Sequence, residues 1–228
     1  MRIDVLTLFP GMFESVLGES IIKRARNKGL VDIEVHNLRD WTSDNHRTVD
    51  DKPFGGGPGM VMKVEPIWKA LKALIGKSRK DTRVVLLTPQ GRRLTQAIVK
   101  ELAKRKKLLL ICGHYEGVDE RVRELADDEI SIGDYILTCG EIPAMALIDS
   151  VARLMPGVLG DDNSSVNESF ENALLEYPQY TRPAEFMEMK VPQVLLSGDH
   201  KKIEEWRRKE SVKRTAKRRP DLINKRGK

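Results

Sequence analysis

Three times between residues 84 and 141 a short apolar run leads straight into a glycine-bearing loop and then into a helical pattern. This repetition constrains the fold more than any other feature of the chain. Residues 84–87 run into Thr88-Pro89-Gln90-Gly91, and residues 108–112 into Gly113-His114-Tyr115-Glu116-Gly117. Residues 130–132 run into Gly133, and a further run, 135–137, into Thr138-Cys139-Gly140-Glu141. Helical spacing follows at roughly 94–105, 118–126 and 142–154. Strands alternating with helices predict an α/β fold around a mostly parallel sheet. In open sheets of this class ligands bind beyond the carboxyl ends of the strands. Glycine there lets a backbone approach a ligand closely. A tight turn explains one such loop; three in succession predict a shared pocket.

The chemistry of that pocket is bounded by what its loops lack. No G-x-G-x-x-G follows a strand and no G-K-[ST] occurs, so neither a dinucleotide fingerprint nor a P-loop is expected. The ligand should lack a phosphate that needs a helix N-terminal cradle. Adenosine with an uncharged or cationic tail fits, held by backbone hydrogen bonds and by walls such as Leu87, Ile132 and Leu137.

Upstream, residues 3–9 read as a strand ended by Pro10-Gly11. Phe13, Val16, Leu17, Ile21, Ile22 and Ala25 recur at helical spacing, with Gly29 as the stop. Residues 31–35 read as a second strand and 39–60 as a long polar loop. Within that loop, residues 53–59 hold four glycines and two prolines, an unusual backbone path that could admit a base or phosphate to main-chain N–H groups. His46 and Arg47 lie just upstream. A helix opens around Pro66, presents Ile67, Trp68, Leu71, Leu74 and Ile75, and ends at Gly76. After Pro156, residues 157–173 show little periodicity. Residues 190–196 form a short apolar piece, and 199–219 a basic helix with Ile203 and Trp206 as docking residues.

Charge is unevenly placed. Residues 201–228 carry 13 lysines and arginines against 4 acids, a net of +9, so the first 200 residues carry −3 of the chain's +6. A basic block on a near-neutral body suggests a polyanion partner. The two cysteines, Cys112 and Cys139, and the four scattered histidines form no metal-ligand spacing, so no metal is expected. The longest apolar run, 108–112, is far short of the ~20 residues that span a bilayer. With no signal-peptide pattern, a cytoplasmic protein is expected. Among polar candidates for chemistry, Arg153 lies late in the helix beyond the third glycine loop, where a guanidinium could stabilise an oxyanion. Glu116, Asp134, Glu168 and Glu171 are the carboxylates, and the residues alone do not choose among them.

The motifs together resemble one family, the bacterial tRNA (guanine-N1)-methyltransferases of the SPOUT group. Matching stretches are Thr7-Leu8-Phe9-Pro10, residues 48–60, Pro89-Gln90-Gly91, 112–121, 131–138 and 143–160. Further on come Ser169-Phe170, Leu174-Leu175-Glu176, Tyr180-Thr181-Arg182-Pro183, Val191-Pro192 and Arg218-Arg219-Pro220. The resemblance implies an α/β parallel sheet with a deep trefoil knot, an exception to the rule that chains are unknotted, and a small, mainly helical C-terminal domain. It implies a catalytic domain over 1–160, a flexible linker over 161–176 and a basic tRNA-binding domain over 177–228. It implies methylation of N1 of the guanosine immediately 3′ of the anticodon, position 37, with S-adenosylmethionine as donor and a homodimer with a composite active site.

Carried over position by position, the resemblance puts the cofactor on Leu86, Leu87, Thr88, Pro89, Gly113, Glu116, Ser131, Ile132, Gly133, Asp134, Tyr135, Ile136, Leu137, Gly140 and Pro143. It makes Glu168 the general base and Arg153 the oxygen-stabilising group. It puts tRNA contacts on Arg24, His46, Asp50, Gly59, Arg182, Arg214 and Arg218. Two positions depart from the family pattern: Cys139 stands where a glycine is usual, and Glu168 where the family has aspartate. The rival readings are a SPOUT enzyme acting on another RNA position and a non-catalytic RNA-binding protein.

Overall fold

A computed structural model describes residues 1–76, 79–160 and 168–224. Contacts divide the chain into two compact units, Met1–Gly160 and Asp161–Lys228.

The first unit is built on five parallel strands: β1 (Arg2–Thr7), β2 (Asp32–Asn37), β5 (Thr82–Arg93), β6 (Lys107–Cys112) and β7 (Asp128–Ser131). Their order in the sheet is β2-β1-β6-β5-β7. A two-stranded antiparallel pair, β3 (Asp50–Asp51) and β4 (Val61–Met62), stands apart. The central strands carry continuous apolar runs, Val84–Leu87 in β5 and Leu108–Cys112 in β6, because both faces are covered. Side chains alternate across the sheet, so Ile3, Val5, Val85, Leu87, Leu108 and Leu110 enter one core. Leu6, Val84, Leu86, Leu109 and Ile111 enter the other.

The first core is closed by α2 (Ser20–Asn27), α4 (Gln96–Ala103) and α5 (Glu141–Ala152), which contribute Ile22, Ala25, Val99, Leu102, Leu147 and Ile148. The short α1 (Glu14–Leu17) adds Leu17. The second core is closed by α3 (Val64–Ile75) through Ile67, Ala70 and Leu71, together with Val122. Gly76, at φ +69°, ends α3 where a left-handed residue is required. Among the described residues no helix is long and apolar enough to cross a membrane.

Several local expectations are corrected. The helix expected across Phe13–Ala25 is broken: α1 ends at Leu17, Gly18 caps onto the Glu14 carbonyl, and Ser20, the first residue of α2, takes φ +53°. Leu17, Ile22 and Ala25 still face one core, so the apolar pattern survives a break it did not signal. The stretch expected as a helix over 118–126 is a 3-10 segment, Glu120–Leu125, opened by Asp119, whose carboxylate accepts from the Arg121 N–H at 3.0 Å. Residues 135–137 form no strand. Tyr135 and Ile136 are exposed, and the segment is a loop whose first turn is closed by the Tyr135 N–H on the Gly133 carbonyl at 3.0 Å. Strand β5 runs through 88–91, where it shifts register: Leu87 and Arg92 both stand opposite Ile130, leaving the four residues between as an excursion.

In the second unit, β8 (Glu185–Phe186) and β9 (Met189–Lys190) pair as a hairpin through Met187 and Glu188. Both turn residues have positive φ, as a two-residue hairpin turn matched to strand twist demands. Then come α6 (Gln193–Leu196), α7 (His200–Arg218) and α8 (Pro220–Asn224). Asp199 caps α7 by accepting from the Lys202 N–H at 3.1 Å. The expected docking residues Ile203 and Trp206 are only half-buried; α7 buries Ser211 and Thr215 instead. The Thr215 hydroxyl accepts from the Leu175 N–H at 2.8 Å and donates to the Ser211 carbonyl at 2.7 Å. Ser169 Oγ accepts from the Glu176 N–H at 3.0 Å. Residues 168–176 of the expected linker are thus tied into this unit. Its first part, 161–167, and the end of the basic tail, 225–228, lie outside the described residues.

Candidate active site

The carboxyl ends of β5, β6 and β7 converge on one cavity of about 510 Å³. Leu86, Leu87, Thr88 and Pro89 come from β5, Gly113 and Glu116 from the loop after β6, and Ser131, Ile132 and Gly133 from the end of β7. Tyr135, Ile136, Leu137 and Gly140 line it from the following loop, and Pro143 from the first turn of α5. The structure therefore brings these expected residues into one place, because each motif sits at the end of a strand and the strands are parallel neighbours. Asp134 is the exception: it does not line the cavity but points outward, 87% exposed, with its carboxylate 3.6 Å from Arg93.

Two glycines make this convergence possible. A Cβ on Gly140 would lie 2.7 Å from the Gly113 amide nitrogen and 2.8 Å from Cys112 Cα. In the absence of that carbon the Gly140 N–H donates to the Gly113 carbonyl at 2.8 Å, joining the loop before α5 to the end of β6. A Cβ on Gly91 would lie 2.4 Å from the backbone of Glu129 and Ile130, so the β5 excursion packs directly on β7. Ser131 Oγ accepts from the Gly133 N–H at 3.2 Å and donates to its carbonyl at 3.0 Å, which turns the chain sharply out of β7.

The glycine-rich loop reaches the same cavity. Asp50 pairs with Met62 across β3 and β4, bringing the two ends of the loop together. Gly55, Gly56, Gly57 and Gly59 all have positive φ, and Phe54 is fully exposed between them and Pro53. Gly59 lies against Glu116: a Cβ there would fall 2.4 Å from Glu116 Oε1. The Glu116 N–H donates to the Met60 carbonyl at 3.0 Å, and the Asp119 N–H to that of Met62 at 2.9 Å. Gly59 is thereby placed at the rim, whereas His46 is exposed on the turn before β3 and Arg24 is exposed on α2; neither lines the cavity.

Residues that the sequence did not single out complete the wall. Gln90 and Arg123 line it, and the Arg123 guanidinium donates to Gln90 Oε1 at 2.7 Å and to Glu120 at 2.9 Å, and contacts Glu129. The one guanidinium in the wall is thus held by the protein's own acceptors. Beneath the wall, Glu141 is fully buried at the start of α5 and accepts from the Thr7 hydroxyl at 2.5 Å, while its Oε2 has no hydrogen-bond partner among the described residues. A threonine ending an apolar strand and a glutamate opening an apolar helix were the available signals.

Both cysteines stand close to this carboxylate. Burial, with Glu141 adding to it, pushes the Cys112 thiol well above its ordinary range, and burial followed by the Glu141 hydrogen bond raises that of Cys139. Neither is a thiolate at neutral pH, so neither is poised for nucleophilic or metal chemistry. Among the described residues, Asp4, Glu34 and His36 are the one group close enough to share a cation. Asp4 already accepts from Arg2 at 2.9 Å and contacts Lys107 Nζ at 2.7 Å, so protein cations fill that place.

Arg153 is not among the residues that line the cavity. Arg153 follows the last residue of α5 and is half-buried. Ten residues separate it from Pro143, which at 1.5 Å per residue is about 15 Å along the helix axis. Glu168 is half-buried in the second unit, its carbonyl accepting from the Glu171 N–H at 3.3 Å. Of the remaining expected tRNA contacts, Arg182 is exposed ahead of Pro183, Arg218 is exposed at the end of α7, and Arg214 donates to the Glu176 carbonyl at 3.1 Å.

Comparison with known proteins agrees in one direction. Residues 1–225 match the family described as tRNA (Guanine-1)-methyltransferase TrmD. The tRNA (guanine-N(1)-)-methyltransferase of Geobacillus kaustophilus is 60% identical over 225 residues, covering 98% of this chain and 92% of that protein. That of Dehalococcoides mccartyi is 57% identical over 226 residues, covering 99% and 91%. That of Dictyoglomus turgidum is 57% identical over 225 residues, again 99% and 91%. With the sheet, the glycine-joined loops and the cavity in place, the chain belongs to the tRNA (guanine-1)-methyltransferase TrmD family.

Proposed function

We propose that this chain transfers a methyl group from S-adenosylmethionine to N1 of the guanosine immediately 3′ of the anticodon, position 37, in tRNA. The observation that carries the reading is the backbone-lined cavity at the ends of β5, β6 and β7 in a chain of this family. Its volume falls within the roughly 300–1,000 Å³ typical of small-ligand sites. Its walls suit the donor: Leu87, Ile132 and Leu137 are apolar, Glu116 and Glu120 are acidic, and the Arg123 guanidinium is engaged by Gln90, Glu120 and Glu129. A cationic nucleoside without phosphate matches that composition.

S-adenosylmethionine supplies an electrophilic methyl group that needs no metal to activate it. The protein's tasks are to orient the reactants and to manage a proton and a charge. Guanine N1 carries a proton and is not nucleophilic until it leaves. The Glu168 carboxylate accepts that proton as the methyl moves. Negative charge then builds on guanine O6, where the Arg153 guanidinium donates hydrogen bonds.

About 15 Å of helix between the cavity wall and Arg153 argues that one chain's arginine serves another chain's cavity. The same reading takes the enzyme as a twofold homodimer, the commonest closed symmetry. Exposed Phe9, Met12 and Ile142 support it, since the turn Pro10–Phe13 packs on α5 and Phe9 lies at a tilt against His114, whose loop lines the cavity. The loop crossings at Gly140 and Gly91 support the trefoil knot of the SPOUT group. The basic α7 supports a tRNA-binding role for residues 177–228 in a cytoplasmic protein.

The test is incubation with unmodified tRNA and methyl-labelled S-adenosylmethionine, followed by mapping of the label. Label on N1 of guanosine 37, lost when that base is replaced, is the expected result. Label at another position, or binding of tRNA without transfer, would select one of the rival readings. Glu168→Gln keeps the shape of the side chain but accepts no proton, and is expected to slow single-turnover transfer by ~10²–10⁴-fold with donor binding intact.

A further inference from the structure

The unit from Asp161 onward holds a second cavity, of about 330 Å³, walled by its own residues between Tyr177 and Arg207. Leu195 and Ile203 form an apolar part of the wall; Tyr177, Tyr180, Arg182 and Arg207 supply aromatic planes and positive charge. Among the described residues no carboxylate lines it. The Arg207 guanidinium lies over the Tyr177 ring at 4.9 Å from its centroid. Its Nε is buried and has no hydrogen-bond partner among the described residues. Tyr180 is backed by Trp206 at 6.4 Å yet remains 49% exposed.

Each of these facts asks for the same kind of occupant. A buried donor without an acceptor is unfavourable until a ligand supplies one. An aromatic face left open beside guanidinium groups is the platform on which proteins stack unpaired bases, and stacking accepts any base because each has a π-face. The cations of the wall suit a phosphodiester, and α7, which contributes Ile203 and Arg207, carries nine lysines and arginines against three glutamates. With no carboxylate among the described residues of the wall, none of them is suited to take the guanine N1 proton. The cavity is built to hold a base rather than to react with it.

We propose that this cavity binds one unpaired nucleotide of the RNA substrate other than the guanosine that is methylated. The base stacks on Tyr180, and the guanidinium groups of Arg182 and Arg207 meet the adjoining phosphate. The proposal rests on the reading of tRNA as substrate.

The experiment uses the full chain and tRNA transcripts in which each unpaired nucleotide except guanosine 37 is replaced, one at a time, by an abasic residue. With the wild type, one position is expected to weaken binding by roughly 5- to 100-fold, the range of a single base–aromatic stack. Tyr180→Ala should weaken intact tRNA to a similar degree and abolish the effect of that one abasic position. Tyr180→Phe should preserve both. Circular dichroism and limited proteolysis of residues 177–224 report whether each variant is folded; Tyr180→Leu, which keeps apolar bulk without the ring, gives the same reading if the alanine variant fails it. If no abasic position is coupled to residue 180 in folded variants, the assignment of this cavity is overturned. If the wild type methylates no tRNA at all, the proposed function fails instead, and the two failures are distinguishable.

Discussion

At Gly140 a single added carbon would meet two backbone atoms, the Gly113 nitrogen and Cys112 Cα, neither of which can swing aside. Its φ of −83° is one that any residue adopts, so the demand is for space. Gly140→Ala is expected to weaken S-adenosylmethionine binding by roughly 5- to 100-fold, matching the ~1–3 kcal/mol of an overpacked site. Calorimetric titration checks this, and an unchanged affinity would remove the 135–140 loop from the donor site. The neighbouring Cys139 is expected to behave oppositely. Its thiol is raised and half-buried, with no chemical task, so Cys139→Gly should bind the donor as well as the wild type or better. Loss of all methyl transfer in that variant would reveal a role for sulfur.

A buried charge sets a second residue-scale expectation. Burial works to raise the Asp4 carboxyl, but hydrogen bonds from Arg2, Lys107 and His36 outweigh it and hold the group at about 2, below its ordinary 3.8. A depressed carboxyl contributes stability at pH values above its unfolded pKa, and that contribution is lost as pH falls from about 4 toward 2. Asp4→Asn is expected to lower unfolding free energy by about 2 kcal/mol at pH 7. Urea denaturation at a series of pH values should show the gap between wild type and variant closing below pH 4. A gap that persists undiminished to pH 2 would assign the loss to packing.

At the scale of elements, one contact ties the end of β1 to the start of α5. Thr7 Oγ1 donates to buried Glu141, and the same hydroxyl accepts from the Phe9 N–H at 2.9 Å. The helix thus begins beneath the loop that carries Gly140, and its first turn presents Pro143 to the cavity. Thr7→Val keeps the shape and removes both bonds, leaving a buried carboxylate without its donor. It is expected to destabilise the fold by ~1–3 kcal/mol and to weaken donor binding as well. Thermal unfolding with and without S-adenosylmethionine separates the two effects. A variant that loses stability but binds the donor normally would confine Thr7 to the core.

For the whole molecule, the separation of Arg153 from the cavity wall makes a claim about assembly. If each site combines one chain's cavity with another chain's Arg153, two separately inactive variants should complement one another. Arg153→Ala mixed with Gly140→Val and allowed to exchange subunits is expected to recover about a quarter of wild-type activity, from the one intact site of each heterodimer. Single-turnover methylation of tRNA measures it. No recovery in mixtures shown by mass to contain heterodimers would place the cavity and its arginine in one chain.

Much of this was legible in the sequence, for identifiable reasons. Strand, loop and helix are local patterns, written in periodicity and in where glycine and proline fall, so the three strand-then-glycine units were visible in the chain. Because a parallel sheet gathers the ends of its strands, the residues in those loops meet once the units are present. Helix breaks were less legible: the apolar spacing continues across Gly18–Ser20, since the core reads only which side chains face it. The 135–137 run looks like a strand by composition, yet it pairs with no strand among the described residues, and Tyr135 and Ile136 remain exposed. Only the tertiary structure decided the order β2-β1-β6-β5-β7, which puts Lys107 beside Asp4. It also seated Gly59 against Glu116, buried Glu141 under Thr7, and turned Asp134 outward while its neighbours faced in. Each of these joins residues far apart in the chain, or assigns a direction to one loop side chain. Periodicity carries no record of either, because both are settled by which surfaces pack together and which charges find partners when they do.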